Sequence, residues 1–206
     1  FAAAFFLPAA KAPWRRPNVS LAPPPPLLVD GGDCWTHLEF ASCQLHLEWK
    51  SEPHTKGNSQ KKGNGGVFFM DRYESQMLDC DNNPTYADGM AGALYGVKPP
   101  DANALRPAGE WQAYDIWFRR PEFNADGKMT TPACVTVSIN GIVVQKNVPF
   151  EGPSSNKTRK PYIAHADALP LSLQNHNEDV EFCNIWIRPL DDNGVVSPAG
   201  PVGPMQ

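Results

Sequence analysis

Between Asn64 and Leu190 the chain divides into strand-sized blocks whose polar residues recur at every second position. Successive side chains of a strand point to opposite faces, so this alternation builds sheets with one buried and one polar face. Gln44–Trp49 places Leu45, Leu47 and Trp49 on one side. Gly66–Met70, Tyr73–Cys80, Trp111–Arg119, Leu171–His176 and Val180–Arg188 read as further strands. Val135–Ile139 and Ile142–Gln145 flank Asn140-Gly141, a pair suited to the positive-φ positions of a type I′ turn, which predicts a tight hairpin. The segments 50–65 and 150–162 read as polar loops. Neither a long helix nor a βαβ rhythm interrupts the pattern, so the expected fold is all-β, an antiparallel sandwich.

Three regions follow. Residues 1–33 form an arm with an apolar run at its start, basic Lys11, Arg15 and Arg16, and the extended spacer Pro23–Pro26. Residues 34–190 form the globular domain, and 191–206 a Gly/Pro-rich tail. The segment FAAAFFLPAAKA has the look of a signal-peptide core, but a packed segment of the mature chain is the expected reading. A net charge of −4 gives no footprint for nucleic acid, and no apolar run approaches the length of a membrane helix. Cys34, Cys43, Cys80, Cys134 and Cys183 have no CxxC spacing, which argues against zinc. Their odd number leaves at least one thiol free or paired between chains. With the sequons at Asn18 and Asn156, these cysteines suggest a secreted glycoprotein. Asp79, Asp81 and Asp88 are a weak Ca²⁺ signal without EF-hand spacing, so the identity of any divalent metal stays open.

The period-two pattern also places polar groups together. Glu74 and Gln76 share a face with Leu78; Ser172, Gln174 and His176 share another; Gln44, His46 and Glu48 a third. Were these strands neighbours, Glu, Gln and His would form one patch suited to acid–base work or to gripping sugar hydroxyls. A solvated outer sheet face has the same pattern. His37, His54 and His165 read as structural or exposed. Trp35, Trp49, Trp111, Trp117 and Trp186 read mainly as core, with one or two free to line a sugar-binding face.

Several blocks resemble the 3-keto-disaccharide hydrolase domain family over about residues 36–190. The family's Tyr-Glu-x-Gln-x-x-Asp is matched by Tyr73, Glu74, Gln76 and Asp79. Its Leu-Gln-Asp-His is matched by Leu173, Gln174 and His176. Gly109–Trp111, Tyr114–Ile116 and Asn140-Gly141 match further blocks. The resemblance implies a concanavalin/LamG-like jelly roll with one concave face, and cleavage of 3-keto-glycosides. It makes Glu74 the candidate base and His176 the candidate acid. Gln76 and Gln174 would hold hydroxyls, and Asp79, Glu48 and Asn64 complete the set of substrate contacts. Three departures, Gly65 for Ser, Asn175 for Asp and Cys183 for Arg, lead to the expectation of a retained fold with a weakened site.

The resemblance implies that the arm stands where the family has an N-terminal β-region. Phe1, Ala3, Phe5 and Leu7 fall on one face and Phe6 on the other, so the run suits a fully buried strand. Packing on its own domain is one reading; donation to the next subunit is the other. The expected function is therefore a secreted jelly-roll subunit that self-assembles through this strand. The alternatives are an active 3-keto-glycoside hydrolase or lyase, and a carbohydrate-binding module using the same face.

Overall fold

A computed structural model describes residues 6–8, 26–28, 32–53 and 56–191. Asn18, His54, Phe1, Ala3, Phe5 and the tail beyond Asp191 lie outside the described residues. Two antiparallel sheets face each other. The five-stranded sheet runs β1 (Phe6–Pro8), β3 (Cys34–Phe40), β12 (Leu169–Asn175), β5 (Gly65–Phe69), β6 (Tyr73–Met77). The six-stranded sheet runs β11 (Ile142–Pro149), β10 (Cys134–Ile139), β7 (Gln112–Arg119), β4 (Cys43–Ser51), β13 (Val180–Pro189), β2 (Leu27–Leu28). A small hairpin, β8 (Glu122–Phe123) with β9 (Met129–Thr131), stands apart. The expected all-β jelly-roll sandwich is the observed fold. Among the described residues no helix is long and apolar enough to cross a membrane.

Alternation decides what each sheet buries. In β7, Tyr114, Ile116 and Phe118 enter the core, while Ala113, Asp115 and Trp117 face out. Leu45, Leu47 and Trp49 of β4 do the same. Across the sandwich Phe69 stacks on Phe118 at 4.6 Å, and Tyr114 donates from its hydroxyl to the Gln76 carbonyl at 3.0 Å. That bond ties β6 to the opposite sheet, on a core whose large side chains each contribute about 3–5 kcal/mol against truncation to Ala. Asn140 and Gly141 both have positive φ (51° and 82°), as the type I′ turn requires.

Several local expectations need correction. The strand starting at Tyr73 ends at Met77, not Cys80. There the Asp79 carboxylate accepts from the Asp81 amide at 2.9 Å and pulls the chain into a turn. β3 has no clean alternation, since Trp35, His37, Leu38 and Glu39 are all exposed, and no periodic pattern marks it as a strand. Of the five tryptophans in the described residues, Trp49 alone joins the core; Trp35 and Trp117 are exposed, and Trp111 and Trp186 half-buried. Two described pieces of the arm join the sheets, as one of its two readings allowed. Leu27 pairs with Phe182, and Phe6–Pro8 pair with Cys34–Thr36 of the same chain.

All five cysteines are free thiols. Four are buried; burial pushes Cys43 up to about 12, and Cys80 up to about 11. Such thiols behave as small apolar side chains. Reductant is therefore expected to leave the melting temperature unchanged, and half-buried Cys183 should be the first thiol to react with an alkylating reagent. A melting point lowered by several degrees on reduction would contradict this.

Candidate functional site

The register brings the predicted residues of the five-stranded sheet into rows on its outer face. Glu74, Phe68 and Ser172 stand side by side across β6, β5 and β12. The next row is Gln76, Gly66 and Gln174. Leu171 and Leu173 face the core, as the alternation predicted. Continuing the register, His176 lies one row beyond Gln174, just past the end of β12. Strand spacing and rise put its Cα roughly 16 Å from that of Glu74. Gly66, with no side chain, sits in the middle row. Trp35 lies beyond Ser172 on β3 and donates its Nε1–H to Asp71 Oδ1 at 3.3 Å; Ser172 Oγ donates to the same oxygen at 3.2 Å.

Glu74 is 5% exposed, and burial pushes its carboxyl up to about 8. Its carboxyl lies over Gly66: a Cβ there would meet Glu74 Oε1 at 2.6 Å and the Phe68 ring at 3.0 Å. The backbone of Glu74 is pinned on both sides, its N–H donating to Ser154 Oγ (2.9 Å) and its carbonyl accepting from the Tyr95 amide (3.3 Å). The hydroxyls of Tyr95 and Tyr86 are 2.6 Å apart. Burial first, then the bond to Tyr86 and nearby charge, including Glu74, raises the Tyr95 phenol, which stays neutral. A carboxyl raised in this way holds its proton to a higher pH than an ordinary glutamate. The base role expected for it needs the ionised carboxylate, which burial disfavours.

Gln76 is fully buried beside Glu74. One end of its carboxamide lies 2.8 Å from Glu74 Oε1; the other donates to Gln60 Oε1 (2.8 Å) and Asn64 Oδ1 (3.2 Å). Asn64, 4% exposed, therefore supports Gln76 within the protein. Gln174 is half-buried, and its side-chain amide makes no hydrogen bond to a described residue, which leaves it free for a hydroxyl. His176 is exposed. Asp79 is buried, capping its turn and paired with Lys62 at 3.1 Å. No group of three or more His, Cys, Asp or Glu suited to a metal occurs among the described residues.

Glu48 does not join this constellation. It faces out from β4 in the six-stranded sheet, where Asn184 Nδ2 donates to it at 2.8 Å and the Cys183 thiol at 3.7 Å. His46, next along that face, bonds Asp115 through Nδ1 at 2.8 Å and stacks on Trp186 at 5.1 Å. β4 borders β7 and β13, so the single patch of Glu, Gln and His divides between the two sheets.

The three departures now have positions. Gly65 pairs with Met77, and a Cβ on it would meet the Gln174 carbonyl at 3.4 Å and Met77 Cε at 3.6 Å, away from Glu74. Asn175 accepts from the Asn177 amide at 2.6 Å, a turn that Asp would also make. Cys183 is on the other sheet. None touches the Glu74 carboxyl.

Sequence reasoning missed Gln60, Tyr86, Gly89 and Tyr95. Gln60 sits in a Lys-rich stretch that reads as a solvated loop. The run Thr85–Gly96 carried one usable signal, its three glycines. They let a non-repetitive segment lie flat along β6, with Gly92 N–H donating to the Gln76 carbonyl at 2.8 Å. His165, read as structural or exposed, does hold the Tyr73 hydroxyl at 2.9 Å.

The model of the 3-keto-alpha-glucoside-1,2-lyase-like domain matches residues 28–188. Among solved structures, a candidate glycosyl hydrolase from Parabacteroides distasonis ATCC 8503 is 40% identical. The match covers 80% of this chain and 72% of that one, with a TM-score of 0.76. A second from the same organism, 20% identical over 80% of this chain and 87% of that one (TM-score 0.59), shares the fold. So does a third, 20% identical over 77% and 76% (TM-score 0.55). A search of curated proteins finds no match. The match over most of the chain and the 40% identity place this protein in the family of 3-keto-alpha-glucoside-1,2-lyase-like domains.

Proposed function

We propose that the domain is an enzyme that cleaves 3-keto-glycosides by elimination, with Glu74 as its general acid. The observation that carries this reading is the buried carboxyl of Glu74 over the Gly66 gap, which burial pushes up to about 8. The ketone at C3 acidifies the C2–H bond. A base takes that proton, the C–H electron pair becomes the C1=C2 double bond, and the C1–O bond breaks. The departing oxygen takes the proton of Glu74, which a carboxyl held near neutrality supplies well. His176, on the far side of the gap, is the imidazole available to the C2 proton. Gln174 offers its amide to a ring hydroxyl, and Trp35 offers an apolar edge to the sugar. The family to which the chain belongs supports the substrate class. The positions of Gly65, Asn175 and Cys183 support a working site over the weakened one expected from the sequence.

The purified protein is expected to release nitrophenol from 4-nitrophenyl 3-keto-α-glucoside and not from the parent glucoside. In D₂O it should exchange the C2 hydrogen. No release from the keto substrate between pH 5 and 9, with or without divalent cations, would end this reading.

Self-assembly by exchange of the arm is a second, separate proposal. Its support is that the edge of β3 takes up Phe6–Pro8 as a paired strand. Light scattering of the full chain should then show oligomers that deletion of residues 1–10 converts to monomers; monomers in both samples would remove it.

A further inference from the structure

Gln60 lies in the loop before β5, away from the open face, yet it ends a chain of amides that leads to Glu74. Its Nε2 donates to Thr85 Oγ1 at 2.8 Å and to the Gly89 carbonyl at 3.0 Å. A backbone carbonyl can only accept, so the Gln60 amide cannot turn over. Its oxygen must face Gln76. Asn64 is fixed in the same way, its Nδ2 donating to the Gln60 carbonyl at 2.8 Å. Two fixed oxygens therefore face one end of the Gln76 carboxamide, at 2.8 and 3.2 Å, and that end must be its NH₂. The carbonyl end then lies 2.8 Å from Glu74 Oε1. Two oxygens at that distance need a proton between them, and only the carboxyl can carry it.

We propose that Gln60 is a positioning residue whose anchor on Gly89 sets the direction of this amide relay and obliges Glu74 to hold its proton. This rests on the reading of Glu74 as the acid. The alternative orientation of Gln76 relieves one contact, that of its oxygen with the Gly65 carbonyl at 3.0 Å. It would turn the same oxygen onto Gln60 Oε1 and Asn64 Oδ1 instead, exchanging one unfavourable contact for two. In a buried network such contacts are costly, because no water relieves them. Gly89 is part of the device: a Cβ on it would lie 2.8 Å from Gln60 Nε2 and 2.3 Å from the Tyr86 ring. Burial also favours the neutral carboxyl, and the relay adds a specific partner for its O–H.

The test is the titration of Glu74, followed by the carboxyl carbon signal of ¹³C-glutamate-labelled protein and assigned by its loss in Glu74→Gln. Gln60→Met removes the fixed oxygen, so Gln76 can turn and donate to a carboxylate. The Glu74 midpoint is expected to fall by one pH unit or more, and the alkaline limb of the activity profile to move down with it. Asn64→Leu, which removes the other oxygen, should shift the midpoint in the same direction and carries the test if Gln60→Met does not fold. A midpoint unchanged in the folded variants overturns the relay even if the wild type is active. A shifted midpoint in a protein that never turns over 3-keto-glucosides keeps the relay and removes the enzymatic reading.

Discussion

Glu74→Gln is expected to lower kcat/KM on 3-keto-glucosides by about 10²–10⁴-fold while making the folded protein more stable at neutral pH. The two effects have one cause. Glutamine keeps a neutral donor for the Gln76 oxygen but has no proton to give. The wild-type carboxyl is held near 8, against about 4.5 in an open chain. Between those values the native state keeps a proton that the unfolded chain has released, so stability falls as pH rises across the window and levels off above it. Below about 4.5 this contribution is fully present. At pH 7 the variant should be more stable by roughly 3 kcal/mol, a shift of about 6–12 °C in melting temperature for a chain of this size. Melting curves of both proteins from pH 4 to 9 check this: the wild type should slope downward relative to the variant, and the gap should close at the acid end. Parallel curves would show that Glu74 titrates normally.

Gly66→Ala should cost about 10²-fold in kcat/KM, through geometry alone. The backbone at this position suits any residue, but the new methyl would sit 2.6 Å from Glu74 Oε1 and push the carboxyl off Gln76. An ångström of displacement in an acid is enough for a loss of that size. The stability cost of overpacking should stay within about 1–3 kcal/mol. A double-mutant cycle separates the two explanations. If the methyl acts through the carboxyl, Gly66→Ala should have little further effect on activity in the Glu74→Gln background. Additive losses would mean that Gly66 serves the site in another way.

The strands were legible where burial alternates and invisible where it does not. β4, β7 and the Asn140-Gly141 hairpin follow from period two and turn chemistry. β3 does not, because the exposed Trp35, His37, Leu38 and Glu39 break the pattern. Which residues share a face was legible too: Glu74 with Gln76, and Ser172 with Gln174. Which strands are neighbours was not, since pairing is set by chain topology rather than local pattern. Glu48 was grouped with Glu74 for that reason, though their strands belong to different sheets. The charge state of Glu74 was illegible because it depends on burial beneath a segment ten to twenty residues on and on the direction of amides fixed by backbone carbonyls. No spacing in the sequence encodes either.

The segment Gly92–Tyr95 runs along the outer side of β6, bonded to it through Gln76, Gly92 and Tyr95 and bridged at Ser75 and Leu94. A sheet edge closed in this way offers no row of free N–H and C=O groups. The five-stranded sheet can therefore lengthen at its β3 side alone, where Phe6–Pro8 now pair. Under the exchange proposed above, a strand from another copy would enter on that side, in place of a resident of identical sequence. The face that carries Glu74 would lie alongside every such junction without being covered by it, so chemistry and linkage need not compete for the same surface.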